Sequence, residues 1–105
     1  MNAKELDQTW RQFQDNVLFD WFYISVAMLY ARVVSVYDNY ELCIPIWNPR
    51  DEENLNDSWL SFVIEKIHEH ASEYPGLDQL SFTFVHGDGS LVRANIKPYY
   101  DPDSV

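Results

Sequence analysis

The spacing of apolar residues changes period along this chain, and that change constrains the fold more than any other feature. In residues 2–19 the apolar positions recur at spacings of four, three and four, which places them on one stripe of a helix. These positions are Leu6, Trp10, Phe13 and Val17. Asp7, Arg11 and Asp15 face away from that stripe, so an amphipathic first helix is predicted.

Beyond Tyr23 the period becomes two, and β-branched and aromatic residues dominate up to Val36. This pattern predicts a long strand, with a buried helix over residues 22–33 as the alternative. Asp38-Asn39 tolerates positive φ and predicts a two-residue turn into a return strand. Pro45 has no backbone N–H to donate, so the return strand should end there or lie at a sheet edge.

A second helix is predicted from the acidic segment 51–57 until Pro75-Gly76 stops it. Its core-facing residues are Trp59, Leu60, Val63, Ile64, Ile67, Ala71 and Tyr74. Alternating apolar residues over 80–85 and 92–97, joined by the turn Gly87-Asp88-Gly89, predict a second hairpin.

The predicted order of elements is α-β-β-α-β-β, followed by an irregular tail over residues 98–105. Both hairpins and both helices have an apolar face that must be buried against another element. We therefore expect an α+β fold in which two helices pack on one face of an antiparallel four-stranded sheet. A chain of 105 residues has room for one such domain, spanning residues 1–105.

The chain carries 17 Asp and Glu against 7 Lys and Arg, a net charge of −10. Such an excess is typical of disorder only where apolar residues are scarce, and here 47% of residues are hydrophobic. The charge therefore belongs to a folded domain and predicts a basic partner, because opposite surface charge accelerates encounter and sets specificity. Direct nucleic-acid binding is not expected, since the few Lys and Arg form no patch to hold phosphates.

Neither export nor membrane insertion is expected. The first residues include acidic side chains, whereas a signal peptide begins with a basic region followed by an apolar one. The single cysteine, Cys43, excludes an intrachain disulfide. The apolar stretch 17–36 is too interrupted to span a membrane. The sequence predicts a cytoplasmic protein.

No catalytic, metal or cofactor site is predicted. Glu65 and His68 lie three apart on the second helix and could reach one ion, but the second pair that a di-iron site needs is absent. A solvated polar face is the preferred interpretation. Cys43 lies in an apolar strand, where cysteine behaves as a small hydrophobe, and His86 flanks a turn. We expect a protein that is not an enzyme.

The outer face of the second helix is the main candidate for partner binding. Glu65, Glu69 and Glu73 recur every four residues opposite the core face. Phe62 falls on the same face, and an aromatic ring among carboxylates is typical of a binding hot spot. The alternative is that Phe62 packs against a neighbouring strand or under the tail.

Two further acidic patches and three aromatic residues extend the list of candidates. The patch that precedes the second helix consists of Asp51, Glu52, Glu53 and Asp57. The patch in the tail consists of Asp101 and Asp103. Capping and solubility are the alternative roles of these carboxylates. Trp47 and the pair Tyr99-Tyr100 are candidate interface anchors, with core packing or docking of the tail as the alternative.

Several short motifs support one family resemblance. Trp21 precedes a strand with the sequence Leu29-Tyr30-Ala31-Arg32-Val33, and Leu80-Ser81-Phe82-Thr83-Phe84 precedes a Gly-Asp-Gly turn. Tyr99-Tyr100-Asp101 follows near the end of the chain. Together with the order of elements, these motifs resemble the YezG-like immunity proteins of bacterial polymorphic toxin systems, over most of the chain from Trp21 on.

The resemblance implies a small cytoplasmic antidote that binds one toxin domain, often a nuclease, and blocks it stoichiometrically without catalysis. We therefore expect an immunity protein whose acidic surface caps a basic toxin. The alternative is an acidic nucleic-acid mimic that inhibits a DNA-binding or defence protein. Whether the protein is a monomer or a dimer is left open.

Overall fold

A computed structural model describes residues 2–19 and 30–96, with the backbone alone for residues 93–96. Its helices are α1 (Ala3–Phe13), α2 (Pro49–Asn54) and α3 (Asp57–Glu69). Its strands are β1 (Arg32–Val36), β2 (Asn39–Ile46), β3 (Leu80–His86) and β4 (Leu91–Ile96). A π-helical turn, Gln14–Leu18, continues α1, and a 3-10 turn, Leu77–Gln79, precedes β3. The predicted α+β class is confirmed, with α2 as an additional helix.

The four strands form one sheet in the order β1-β2-β3-β4. β1 pairs with β2, and β3 with β4, in antiparallel fashion, so both predicted hairpins are present. β2 and β3 pair in parallel, from Tyr40 opposite Leu80 to Ile46 opposite His86. The prediction of an antiparallel sheet is therefore wrong at its centre. A parallel pair needs a crossover connection, and the segment that contains α2 and α3 supplies it.

The limited pairing of β2 with β1 explains how the sheet tolerates Pro45. β2 lies between β1 and β3, but its pairing with β1 reaches only Cys43, opposite Arg32. At Pro45 the strand pairs with β3 alone, where Pro45 lies opposite Val85. The predicted end or edge position is therefore wrong, because β2 is a central strand that continues to Ile46, and the missing N–H is accommodated where β1 no longer pairs with it.

One face of the sheet carries the core. Its buried side chains on the two central strands are Leu42, Ile44, Ile46, Leu80, Phe82 and Phe84. Trp10 of α1 meets Phe82 with ring centroids 6.2 Å apart, and Trp59 of α3 meets Phe84 at 6.4 Å. Because Phe82 and Phe84 point to the same side of β3, both helices cover that one face, as predicted.

Helix α1 also satisfies the backbone of the edge strand. The Val33 N–H donates to Asp7 Oδ1 at 2.9 Å, and the Arg11 guanidinium donates to the Ala31 carbonyl. Two of the three residues predicted to face away from the core, Asp7 and Arg11, thus contact the outer edge of β1 and the residue before it. Paired edge groups are unavailable to a strand from another molecule.

Helix α3 is shorter than predicted and α2 precedes it as a separate helix. Asn48 caps α2 by accepting from the Asp51 N–H at 3.0 Å, and Pro49 occupies the first turn, where its missing N–H costs nothing. Asn56 caps α3 in the same way through the Trp59 N–H. α3 ends at Glu69 rather than near Tyr74, because the following residues form hydrogen-bonded turns.

The first hairpin turns one residue earlier than predicted. Val36 pairs with Asn39, so the turn residues are Tyr37 and Asp38. Tyr37 has φ 55 and is 96% exposed. The second hairpin turns at Gly87-Asp88-Gly89 as predicted, with φ 89 at Gly89.

Segments 20–29 and 97–105 lie outside the described residues, and several predictions fall on them. These are most of the long strand or helix before Arg32, the tail with its acidic patch, Trp21 and the pair Tyr99-Tyr100. Among the described residues, no helix is long and apolar enough to cross a membrane.

Candidate partner-binding surfaces

The exposed side of α3 carries a row of carboxylates. Asp57, Glu65 and Glu69 are exposed and, with the exposed Ser61 between them, recur at intervals of four residues. The opposite side buries Trp59, Leu60, Val63 and Ile67 in the core. We call Asp57, Glu65 and Glu69 the carboxylate stripe. At 1.5 Å per residue the stripe is about 18 Å long.

Glu73 does not continue this stripe. α3 ends at Glu69, and Glu73 lies in the turn that follows. Its exposed carboxylate lies 3.7 Å from His70 Nδ1. The predicted helical spacing of Glu73 is therefore wrong, because the helix stops before it, and Asp57 extends the stripe at the other end.

Phe62 and Lys66 modify the chemistry of the outer face. The Phe62 side chain is half-buried and packs against the core, and Lys66 Nζ lies 5.3 Å from its ring centroid. Lys66 also forms an ion pair of 2.9 Å with Glu69. Sequence reasoning overlooked Lys66, although its position four residues after Phe62 and three before Glu69 places it beside both. Glu69 therefore has a cationic neighbour on its own helix.

In the predicted acidic patch before α3, one carboxylate is buried and three are exposed. Asp51 is only 6% exposed, and its Oδ2 accepts a hydrogen bond of 3.3 Å from the Trp47 N–H. It stabilises the entry into α2. Glu52, Glu53 and Asp57 are exposed.

A small groove lies beside this patch. It has a volume of about 280 Å³ and an apolar floor of Ile46, Phe84 and Val92. Glu52, Asn56 and Asp57 form its rim. The acidic surface thus includes an apolar depression as well as an exposed helix face.

A larger pocket, of about 460 Å³, lies on the face of the sheet opposite the core. Its lining residues among those described are Arg11, Tyr30, Arg32, Cys43, Pro45, Trp47 and Val85. We call it the aromatic-arginine pocket. The predicted anchor Trp47 is 48% exposed here, and its ring meets that of Tyr30 edge to face at 5.0 Å. Sequence reasoning identified Trp47 but not the pocket, since its residues come from distant segments.

Cys43 lines this pocket as a free thiol. Burial, with a smaller contribution from the Glu41 carboxylate, raises the pKa of the thiol, while Arg32 acts in the opposite direction. A raised pKa keeps the sulfur protonated at neutral pH, which disfavours nucleophilic chemistry.

The histidines belong to no metal-binding cluster among the described side chains. Within residues 2–19 and 30–96, no group of three or more His, Cys, Asp or Glu side chains is placed to hold an ion. His68 and Glu65 both lie on α3, and His86 ends β3 beside its turn. Asp88 in that turn accepts hydrogen bonds from the Ser90 hydroxyl and N–H, which lower the pKa of its carboxyl.

Comparison of the chain with protein-family models, with curated proteins and with solved structures finds no match, and the resemblance to YezG-like immunity proteins stays a prediction from the residues quoted above.

Proposed function

We propose that this protein is a cytoplasmic immunity protein that binds and neutralises a toxin with a basic surface, such as a nuclease domain, without catalysis. The observation that carries the proposal is the carboxylate stripe on α3, together with the exposed Glu52 and Glu53 of the preceding helix. The net charge of −10 gives the whole molecule the same preference for a basic partner.

The local arrangement of the acidic surface suits a protein partner. The stripe is held on a capped helix whose opposite side is packed into the core, so its carboxylates are displayed on a rigid element. The half-buried Phe62 and the groove over Ile46, Phe84 and Val92 add apolar contact area beside the charges. Interfaces combine such an apolar centre with a polar rim.

The first test of this proposal is neutralisation. The protein is expressed together with the product of the neighbouring gene, and growth and co-purification are measured. Rescue of growth with a stoichiometric complex supports an immunity protein. Absence of both rescue and complex would contradict the proposed function.

The second test locates the surface. The double variant Glu65→Lys and Glu69→Lys should weaken the toxin complex and reduce the salt dependence of its association rate. The matched control is Asp15→Lys with Asp38→Lys, which changes the net charge equally at two exposed positions outside α3. Thermal unfolding of both variants checks that they remain folded. If the two variants bind the toxin equally well, the carboxylate stripe is not the interface.

A nucleic-acid mimic predicts a different result in the same system. It would compete with DNA for many unrelated basic proteins, whereas an immunity protein holds one cognate toxin. Competition against a panel of DNA-binding proteins therefore separates the two functions.

A further inference from the structure

We propose that the aromatic-arginine pocket binds an acidic segment of a partner polypeptide, one that places an aromatic side chain next to a carboxylate. The pocket lies on the face of the sheet opposite the core, and the carboxylate stripe lies on a helix that covers the core face. The inference does not depend on the proposed function, since it concerns a different surface and an oppositely charged ligand.

The walls of the pocket are aromatic and incompletely covered. Tyr30 is 62% exposed and Trp47 is 48% exposed, although their rings contact each other. The floor is formed by Cys43, Pro45 and Val85. A ring placed against the exposed parts of Tyr30 and Trp47 would bury apolar surface on both and add a further aromatic contact. An aromatic side chain is therefore the natural occupant of this part of the pocket.

Two arginines line the pocket, and none of its described lining residues is acidic, although the Glu41 carboxylate acts on the Cys43 thiol at its floor. Arg11 is held in place by the Ala31 carbonyl and lies 3.8 Å from Asp7. Arg32 is exposed and forms no ion pair within the described part of the chain. A guanidinium group presents paired donors that match a carboxylate. Charge complementarity thus selects an anionic group, with Arg32 as its main contact.

The composition of the lining favours a polypeptide over a free metabolite. Trp, Tyr and Arg are the residues most enriched at the centres of protein interfaces. All three types lie together here, and the volume of about 460 Å³ accommodates a pair of adjacent side chains. The neutral thiol of Cys43 at the floor adds no competing charge.

The test uses the full chain and a short synthetic probe. N-acetyl-Tyr-Glu-amide is titrated into isotope-labelled protein, and the Trp47 indole N–H, the Arg32 side-chain N–H and the Cys43 amide are followed by NMR. The expected result is a saturable shift of all three signals. The probe N-acetyl-Tyr-Gln-amide, which lacks the charge, should bind about tenfold more weakly.

A pair of arginine variants isolates the contribution of the pocket. Arg32→Ala should weaken binding of the charged probe about tenfold. Arg50→Ala makes an equal change of charge at an exposed residue of α2, and its affinity for the probe should stay within about twofold of the wild-type value. Equal affinities of the two variants would overturn the assignment, as would shifts that do not saturate at the pocket residues. Phenylacetate is the third arm. If it binds as tightly as the charged dipeptide, the pocket recognises a free aromatic acid and the polypeptide assignment is wrong.

Discussion

The contact between Asp7 and the edge strand offers a sharp test of how α1 stabilises the fold. The Val33 N–H donates to Asp7 Oδ1 at 2.9 Å, and Val33 itself is buried. Asp7→Ala removes the acceptor and leaves this N–H without its protein partner. A hydrogen bond to a charged group contributes about 1.5–3 kcal/mol to the free energy of unfolding. The ion pair with Arg11 is 3.8 Å long and about one third exposed, so it adds at most a few tenths.

We therefore expect Asp7→Ala to lower the free energy of unfolding by about 2 kcal/mol, which corresponds to roughly 8–16 °C in Tm for a domain of this size. Asp7→Asn keeps an oxygen acceptor and should lose about half as much. Asp15→Ala is the matched control, because it removes an exposed carboxylate from the same N-terminal segment and should stay within about 0.5 kcal/mol of the wild type.

The assay is urea unfolding of the three variants, together with hydrogen exchange at the Val33 amide. Protection of that amide should fall in Asp7→Ala and be retained in Asp15→Ala. The reasoning is refuted if Asp7→Ala is as stable as Asp15→Ala, or if Val33 stays equally protected in both.

Two further predictions concern local chemistry. Tyr37 has a positive φ and is almost wholly exposed. Because asparagine adopts this conformation at lower cost, Tyr37→Asn should raise the free energy of unfolding, measured in urea, by about 0.5–1 kcal/mol. A decrease would contradict the assigned turn. Because the pKa of Cys43 is raised, its alkylation by iodoacetamide at pH 8 should be several-fold slower than that of free cysteine. Glu41→Gln should accelerate the alkylation and Arg32→Ala should retard it, and effects of the opposite sign would disprove the assigned causes.

The sequence predicts elements whose apolar period is long and regular. The stripe of Leu6, Trp10 and Phe13 is buried in α1, and the alternation over residues 80–85 forms β3. The direction of β2 relative to β3 was predicted wrongly, because a period of two describes which side chains share a face and says nothing of strand direction. The turn at Tyr37 was misplaced for a different reason, since positive φ is costly for an aromatic residue and no sequence rule selects it.

In the candidate surfaces too, features set by one helix are predictable from the sequence, and features that depend on contacts between distant segments are not. Helical spacing predicts the exposure of Glu65 and Glu69, since both depend on the phase of one helix. The burial of Asp51 depends on the Trp47 backbone and a separate helix α2, which composition does not reveal. The aromatic-arginine pocket joins α1, the residues before and within β1, the end of β2 with the residue after it, and β3, so only the fold brings its residues together.

The parallel pairing of β2 with β3 has a consequence for how the chain folds. Each hairpin closes through short connections, but Tyr40 must meet Leu80 before the centre of the sheet exists. Closing a loop of about 40 residues costs roughly 3 kcal/mol of chain entropy. We expect the two hairpins to form early and the central parallel pair to limit the folding rate.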